Sequence, residues 1–315
     1  MSEFDISILV PLYNEEASFS LLTSRVDALI KKLPQSIEIV LVDDGSKDAT
    51  PVLMADKALS DDHYQAVFLS KNHGHQLAIT AGLSRVRCKE GVMIIDGDLQ
   101  DPPEMLEEFY QKYKEGFDVI YAVRKKRKEN MMKRGAYHLF YRLLEKISYI
   151  QIPLDSGDFS FISRRVVNIM NSMPEESRYL RGMRTWVGFK QIGLEYERNE
   201  RAAGESKYPF RQLLRLAQNG IFNFSEFPIK FITRLGMLTT LVSVIYLVYT
   251  LVQKIFFHNV PQGFTGLLIA IILFSGVQLL SIGVLGEYIL RIFFQVKGRP
   301  LFMIKNSIKD KQESE

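Results

Sequence analysis

The chain has 315 residues, with 40 Lys and Arg against 36 Asp and Glu, and a net charge of +4. That length suits one large domain or a domain with an appendage, and so small a basic excess excludes a nucleic-acid binder of the strongly basic kind. An apolar fraction of 47% excludes wholesale disorder, and the single cysteine, Cys88, excludes a disulfide framework and leaves no basis for a cysteine-held metal centre.

The first 230 residues alternate short β-branched runs with helical patterns. Strands are expected at Ile6–Leu12, Ile37–Val42, Ala66–Leu69, Val92–Ile95 and Val119–Val123. Helices are expected at about 17–32, 48–58, 76–86 and 104–115, the last opened by Pro102-Pro103. This alternation predicts an α/β domain with a mainly parallel sheet, whose ligands sit outside the carboxyl ends of the strands. A polar cluster follows each of the first four strands: Pro11-Leu12-Tyr13-Asn14-Glu15-Glu16, Asp43-Asp44-Gly45-Ser46, Ser70 through Gln76, and Asp96-Gly97-Asp98-Leu99-Gln100-Asp101. Aligned at one sheet edge, they make a site. Neither GxGxxG nor GxxxxGK[ST] occurs, so dinucleotide and P-loop readings have no support.

Asp96 and Asp98 are the sharpest feature. Carboxylates at i and i+2 of an extended segment project to one face. With Gly97 between them they can hold a hard divalent cation, Mg²⁺ or Mn²⁺, completed by substrate phosphates. A diphosphate leaving group needs that neutralisation. Asp43 and Asp44 can accept hydrogen bonds from a base or ribose, or cap the helix that follows. His73 and His75 lack further ligands for zinc and read as residues lining a nucleotide pocket.

After the fifth strand comes a basic run, Arg124 to Lys128, which reads either as a solvated loop or as a funnel for anions. Residues 131–150 are amphipathic, with Leu139, Phe140, Leu143, Leu144 and Ile147 on one stripe. This suits a helix on a membrane surface or one packed on the core. A second amphipathic pattern spans 209–221. It is preceded by the polar, basic stretch 201–208, well placed to hold a phosphate at a lipid–water boundary.

From Leu235 to Gln253, and again from Ile255 to Gly286, no residue is charged. Each stretch is long enough to span a bilayer as a helix. Lys230, Arg234, Arg291, Lys297 and Arg299 flank the pair, whereas 258–265 holds no Lys or Arg. The positive-inside rule puts both termini in the cytoplasm, and Met1–Asp5 does not read as a signal peptide. Glu287 and Arg291, at i and i+4, are expected to pair. The small residues Gly276, Ser281, Gly283 and Gly286 suit close helix–helix approach. Together the residues describe a domain binding a nucleotide diphosphate with a metal and transferring a group to a phosphate-headed lipid. An ionised phosphate is already a nucleophile, so a dedicated base is unnecessary.

The stretches VPLYNEE (10–16), VDDGSKD (42–48), LSKNHGHQLAITAGL (69–83), DGDLQDPPE (96–104), DFSFISRRV (158–166), RAAGESKY (201–208) and GEYILR (286–291) resemble the membrane-bound polyprenyl-phosphate glycosyltransferases of glycosyltransferase family 2. That group includes bactoprenol glucosyltransferases, dolichol-phosphate mannose synthases and aminoarabinose transferases. The resemblance implies a Rossmann-like GT-A catalytic domain followed by two transmembrane helices, and an inverting single displacement. It implies a cytoplasmic catalytic domain over 1–200, a juxtamembrane amphipathic segment over 201–230, a transmembrane hairpin over 231–295 and a cytoplasmic tail over 296–315. By motif position, Asp96, Asp98 and Gln100 would carry the metal and diphosphate. Pro11, Tyr13, Glu15 and Asp44 would line the nucleotide pocket, with Lys71 and Gly74 nearby. Arg124 and Arg201 would face phosphates, with Ser206 and Lys207 supporting Arg201, and Asp158 would lie near sugar or acceptor. Arginine often stands in the family where this chain has Lys71, and the Q-x-x-R-W signature of processive synthases is absent.

The resulting expectation is an enzyme of the bacterial cytoplasmic membrane, a homo-oligomer binding no nucleic acid. It would transfer one hexose, glucose from UDP-glucose as the leading reading, to undecaprenyl phosphate. The alternatives are GDP-mannose, a UDP-N-acetylhexosamine or a UDP-aminoarabinose derivative as donor, or a non-catalytic membrane scaffold.

Overall fold

The computed structural model describes residues 4–124, 156–197, 225, 227–256 and 263–314. Within these the chain divides into two compact units, one holding nine strands and six helices and the other two long apolar helices.

The first unit is built on one sheet. Its strands are β1 (Phe4–Leu12), β2 (Ile37–Asp43), β3 (Tyr64–Leu69), β4 (Cys88–Ile94), β5 (Val119–Arg124), β6 (Ser156–Ser163), β7 (Gln191–Tyr196), β8 (Ile304–Lys309) and β9 (Gln312–Ser314). Their order across the sheet is β7-β5-β6-β4-β1-β2-β3-β8-β9. The helices are α1 (Glu16–Lys32), α2 (Thr50–Ser60), α3 (His75–Leu83), α4 (Leu106–Lys114), α5 (Arg164–Ser172) and α6 (Leu180–Trp186).

The five strands expected from sequence form, each within a few residues of its expected bounds. Strands β4, β1, β2 and β3 run parallel. Both faces of β1 are buried, as in a central parallel strand covered by helices. Ile6, Ile8, Val10 and Leu12 alternate onto the face that packs with Phe19, Leu22 and Val26 of α1 and Leu106 and Phe109 of α4. On α1, Glu16 in the first turn and Lys31 and Lys32 in the last oppose the helix dipole favourably.

The sheet is less parallel than the sequence pattern suggested. Strand β6 enters antiparallel between β4 and β5, and β8 lies antiparallel on β3. Residues 296–315, expected as a tail, instead supply β8 and β9 to the sheet edge, with Ile308 in the core.

The second unit contains α7 (Phe227–Phe256) and α8 (Phe264–Lys297), of 30 and 34 residues. Most of their described apolar side chains, among them Met237, Ile245, Phe256, Ile272, Leu279 and Val296, are exposed, and none is buried in protein. Both are long and apolar enough to cross a membrane. Glu287 and Arg291 pair at 2.9 Å, as the i,i+4 spacing predicts.

Candidate active site

Strand direction gathers the site. Leu12 of β1 is in register with Asp43 of β2, and Asp43 with Phe68 of β3, so three loops leave the sheet at one edge. Strand β4 delivers Asp96 and Asp98 there. Because β6 is antiparallel, its first residues lie at that same edge: Ile94 pairs with Ser160, placing Asp158 just beyond. Strand β5 runs back the other way, pairing Val123 with Ser156 and ending at Arg124. Strand β7 matches Tyr196 to Arg124.

The first two loops are laced together. Asn14 donates its backbone N–H to Ser46 Oγ at 2.9 Å and accepts from the Lys47 N–H through Oδ1 at 2.8 Å. The Glu15 N–H reaches Thr50 Oγ1 at 2.9 Å, and Glu15 Oε2 accepts from Ser18. Pro11 is buried, whereas Tyr13 presents its ring to solvent at 43% exposure. Asp43 accepts from the Ser46 N–H, closing the second loop on itself.

Asp44 ties the second loop to the third. Its two carboxylate oxygens accept the backbone N–H of His73 at 2.7 Å and of Gly74 at 2.9 Å. Burial pushes its carboxyl above the ordinary carboxylate value, against the pull of those two amides. The structure therefore gives Asp44 a loop-holding role in addition to the ligand contact expected of it. Gly74, at φ +95°, adopts a backbone region that favours glycine and opens α3. Lys71 is exposed on the same loop.

The acidic loop packs under the first. A Cβ on Gly97 would stand 2.4 Å from Leu12 Cδ2, so glycine lets β4's end pack against β1 without displacing that buried side chain. Asp98 is 7% exposed and its Oδ1 accepts the Gln100 N–H at 3.1 Å. Asp96 is more open and faces His75, 3.5 Å from Nε2. Asp96 and Asp98 bring two carboxylates to the loop and Gln100 an amide oxygen in its sequence, the donor chemistry that Mg²⁺ or Mn²⁺ prefers.

Asp158 is the hub of a second cluster that sequence reasoning largely missed. Its carboxylate accepts Arg181 Nε at 2.9 Å and Gln76 Nε2 at 2.9 Å, and lies 3.4 Å from His75 Nε2. Burial would raise its pKa, but Arg181 and His75 hold it well below the carboxylate range. For His75 burial opposes the cation, yet Asp158 and Asp96 raise it to about 9. Arg184, fully buried, donates to the Gly157 carbonyl at 3.1 Å and stands over the Tyr121 ring. Burial lowers its guanidinium to about 10. Tyr196 donates to Asp101, fixing the acidic loop to β7 beside Arg124. His75 and Gln76 lie in the polar loop flagged by sequence, but their partners do not: Gln76 and His75 reach Asp158, and Gln76 meets Leu180 across 104 residues.

Asp96, Asp98, Gln100, Asp158, Arg124, Pro11, Tyr13, Glu15, Asp44, Lys71 and Gly74 thus all lie at or next to one sheet edge. Arg201, Ser206 and Lys207, the basic stretch 125–128 and the amphipathic patterns over 131–150 and 209–221 lie outside the described residues.

Comparison with known proteins agrees with this layout. The profile of glycosyl transferase family 2 matches residues 7–169, which hold β1 through β6. The chain is 40% identical to the uncharacterized glycosyltransferase YkcC of Bacillus subtilis, over 96% of this chain and 93% of that one. It is 37% identical to the bactoprenol glucosyl transferase of Shigella phage SfX, over 96% and 99%. The prophage bactoprenol glucosyl transferase homolog of Escherichia coli is 36% identical over 95% and 98%. A looser likeness, TM-score 0.45 at 18% identity over 70% of this chain and 77% of the other, is to glucosyl-3-phosphoglycerate synthase of Mycobacterium tuberculosis. With the match to relatives running nearly end to end, the chain belongs to glycosyltransferase family 2, a family of sugar-transferring enzymes, and its α/β unit is of the GT-A kind.

Proposed function

We propose that this enzyme transfers one hexose, glucose from UDP-glucose, to undecaprenyl or another polyprenyl phosphate at the cytoplasmic face of a bacterial membrane. The carrying observation is coverage: similarity to proteins named bactoprenol glucosyl transferase spans 96% of the chain, so it includes both the strand-edge site and the two apolar helices. A sugar-transferring site joined to membrane-length helices calls for an acceptor that lives in the membrane.

In this reading a phosphate oxygen of the lipid attacks the anomeric carbon as its bond to the nucleotide diphosphate breaks, inverting that centre. A divalent metal held by Asp96, Asp98 and Gln100 would neutralise the departing diphosphate. The loops carrying Pro11, Tyr13, Glu15, Asp44, Lys71 and Gly74 hold the nucleotide. Arg124, with Arg201, Ser206 and Lys207 from the juxtamembrane stretch, attracts the acceptor phosphate. Asp158, anionic and held by Arg181, faces the sugar. Its depressed pKa makes it a poor proton acceptor, which suits a phosphate nucleophile that has no proton to give.

The test is transfer of labelled sugar from a panel of nucleotide sugars into undecaprenyl phosphate, with Mg²⁺ or Mn²⁺. Transfer from UDP-glucose is expected. Transfer only from GDP-mannose or an amino-sugar donor would replace the donor and keep the reaction. Absence of both transfer and metal-dependent nucleotide binding would leave a scaffold.

A further inference from the structure

Gln76 sits in the first turn of α3 and does two things with one amide. Its Nε2 donates to Asp158 Oδ2 at 2.9 Å, and its Oε1 accepts the backbone N–H of Leu180 at 3.0 Å. Leu180 opens α6, whose next residue, Arg181, grips the same carboxylate through Nε at 2.9 Å. The orientation of the amide is dictated by its partners, because a carboxylate can only accept and a backbone N–H can only donate. Three segments distant in sequence therefore meet on a single side chain: the first turn of α3, the start of β6 and the first turn of α6. Nearby, Arg178 donates to the Met170 and Met173 carbonyls, anchoring the approach to α6 on α5. Gln76 is the piece that anchors α6 to the site.

We propose that Gln76 is a positioning residue for glycosyl transfer. It sets where Asp158 and Arg181 stand relative to Asp96 without itself touching either substrate. The proposal rests on the reading of function above. Loss of the bridge lets the Asp158–Arg181 pair shift while the nucleotide loops, held by Asp44 and Ser46, stay in place. The effect therefore falls on kcat rather than on donor binding.

The experiment compares full-length wild type, Gln76→Leu and Gln76→Glu in detergent, measuring kcat, the KM for the sugar nucleotide, UDP affinity and melting temperature. Glutamate has the size of glutamine and keeps the acceptor for Leu180, but turns an acceptor toward Asp158. Both variants should lose roughly tenfold or more in kcat, with KM and UDP affinity within about twofold, and glutamate should be the worse. A lower melting temperature with kcat per folded molecule unchanged would overturn the proposal, since that is a structural role. Raised KM at unchanged kcat would overturn it too, marking a binding contact, as would a leucine variant worse than the glutamate one. Wild type that transfers no sugar refutes the functional reading and this proposal with it. Wild type that transfers, beside a Gln76→Leu variant with the same kcat, refutes this proposal alone.

Discussion

A Cβ at Gly45 would stand 2.7 Å from the Asn72 nitrogen and the Lys71 carbonyl carbon, and the residue's φ of +72° already lies where side chains are strained. The obstacle is backbone, which cannot rotate aside. Gly45→Ala should therefore cost at least about 2 kcal/mol, through overpacking and strain together. It should also raise the donor KM, because it wedges apart the two loops that Asp44 joins; thermal unfolding and donor titration check this. Asp98→Asn is the complementary probe. An amide oxygen can still accept the Gln100 N–H, so the fold should hold, while the charge for a metal is gone. Sugar transfer should fall by about a hundredfold or more, with metal-dependent UDP binding lost. Full activity in that variant would remove Asp98 from the metal role. Asp96 and Asp98 were legible because an i,i+2 acidic pair ending an apolar strand is a local signal. His75 and Gln76 were placed at the site by their loop, but their link to Asp158, and Arg181 altogether, were not legible, because those partners lie 82 or 23 residues away and no spacing rule reaches that far.

At the scale of elements, the returning C-terminal hairpin has its own lock. Glu38, wholly buried on β2, accepts from Ser7 Oγ at 2.6 Å, Gln65 Nε2 at 2.9 Å and Arg87 Nε at 2.5 Å. Arg87 then reaches Asp310, in the β8–β9 turn, at 2.6 Å. The two ends of this relay differ in worth. Arg87→Met strands a buried carboxylate short of its cation and should cost about 3–5 kcal/mol. Asp310→Ala removes a partner that is 54% exposed and should cost under about 1 kcal/mol. Denaturant melts of the two variants in detergent decide this; equal losses would refute the relay. Helices α1 to α4, the two long apolar helices and the five strands with apolar runs were legible from periodicity; the short helices α5 and α6 were not. Strands β6 to β9 were not. Strand β6 runs antiparallel between two strands of the other direction, and β8 follows a membrane-length segment, so neither fits the strand–helix rhythm that signals a parallel sheet. The antiparallel entry of β6 is nonetheless what brings Asp158 to the edge where Asp96 stands.

For the whole molecule, the sheet constrains the membrane topology. The chain leaves the α/β unit after β7, runs through α7 and α8, and rejoins the same unit as β8, hydrogen-bonded to β3. If the two long helices span a bilayer, both must be crossed in opposite directions, because one sheet cannot be assembled from opposite sides of a membrane. By the positive-inside rule, the Lys and Arg flanking the pair predict a cytoplasmic shared side, the orientation proposed above. Cys88, the single cysteine, is 1% exposed, so introduced thiols can be read against a quiet background. In intact cells a membrane-impermeant maleimide should label Gly263→Cys, at the start of α8, and should reach Val52→Cys on α2 and Lys305→Cys on β8 only after permeabilisation. Labelling of Val52→Cys and Lys305→Cys from opposite sides would contradict the sheet itself. Labelling of both from outside, with Gly263→Cys protected, would reverse the orientation and refute the proposed cytoplasmic placement of the site.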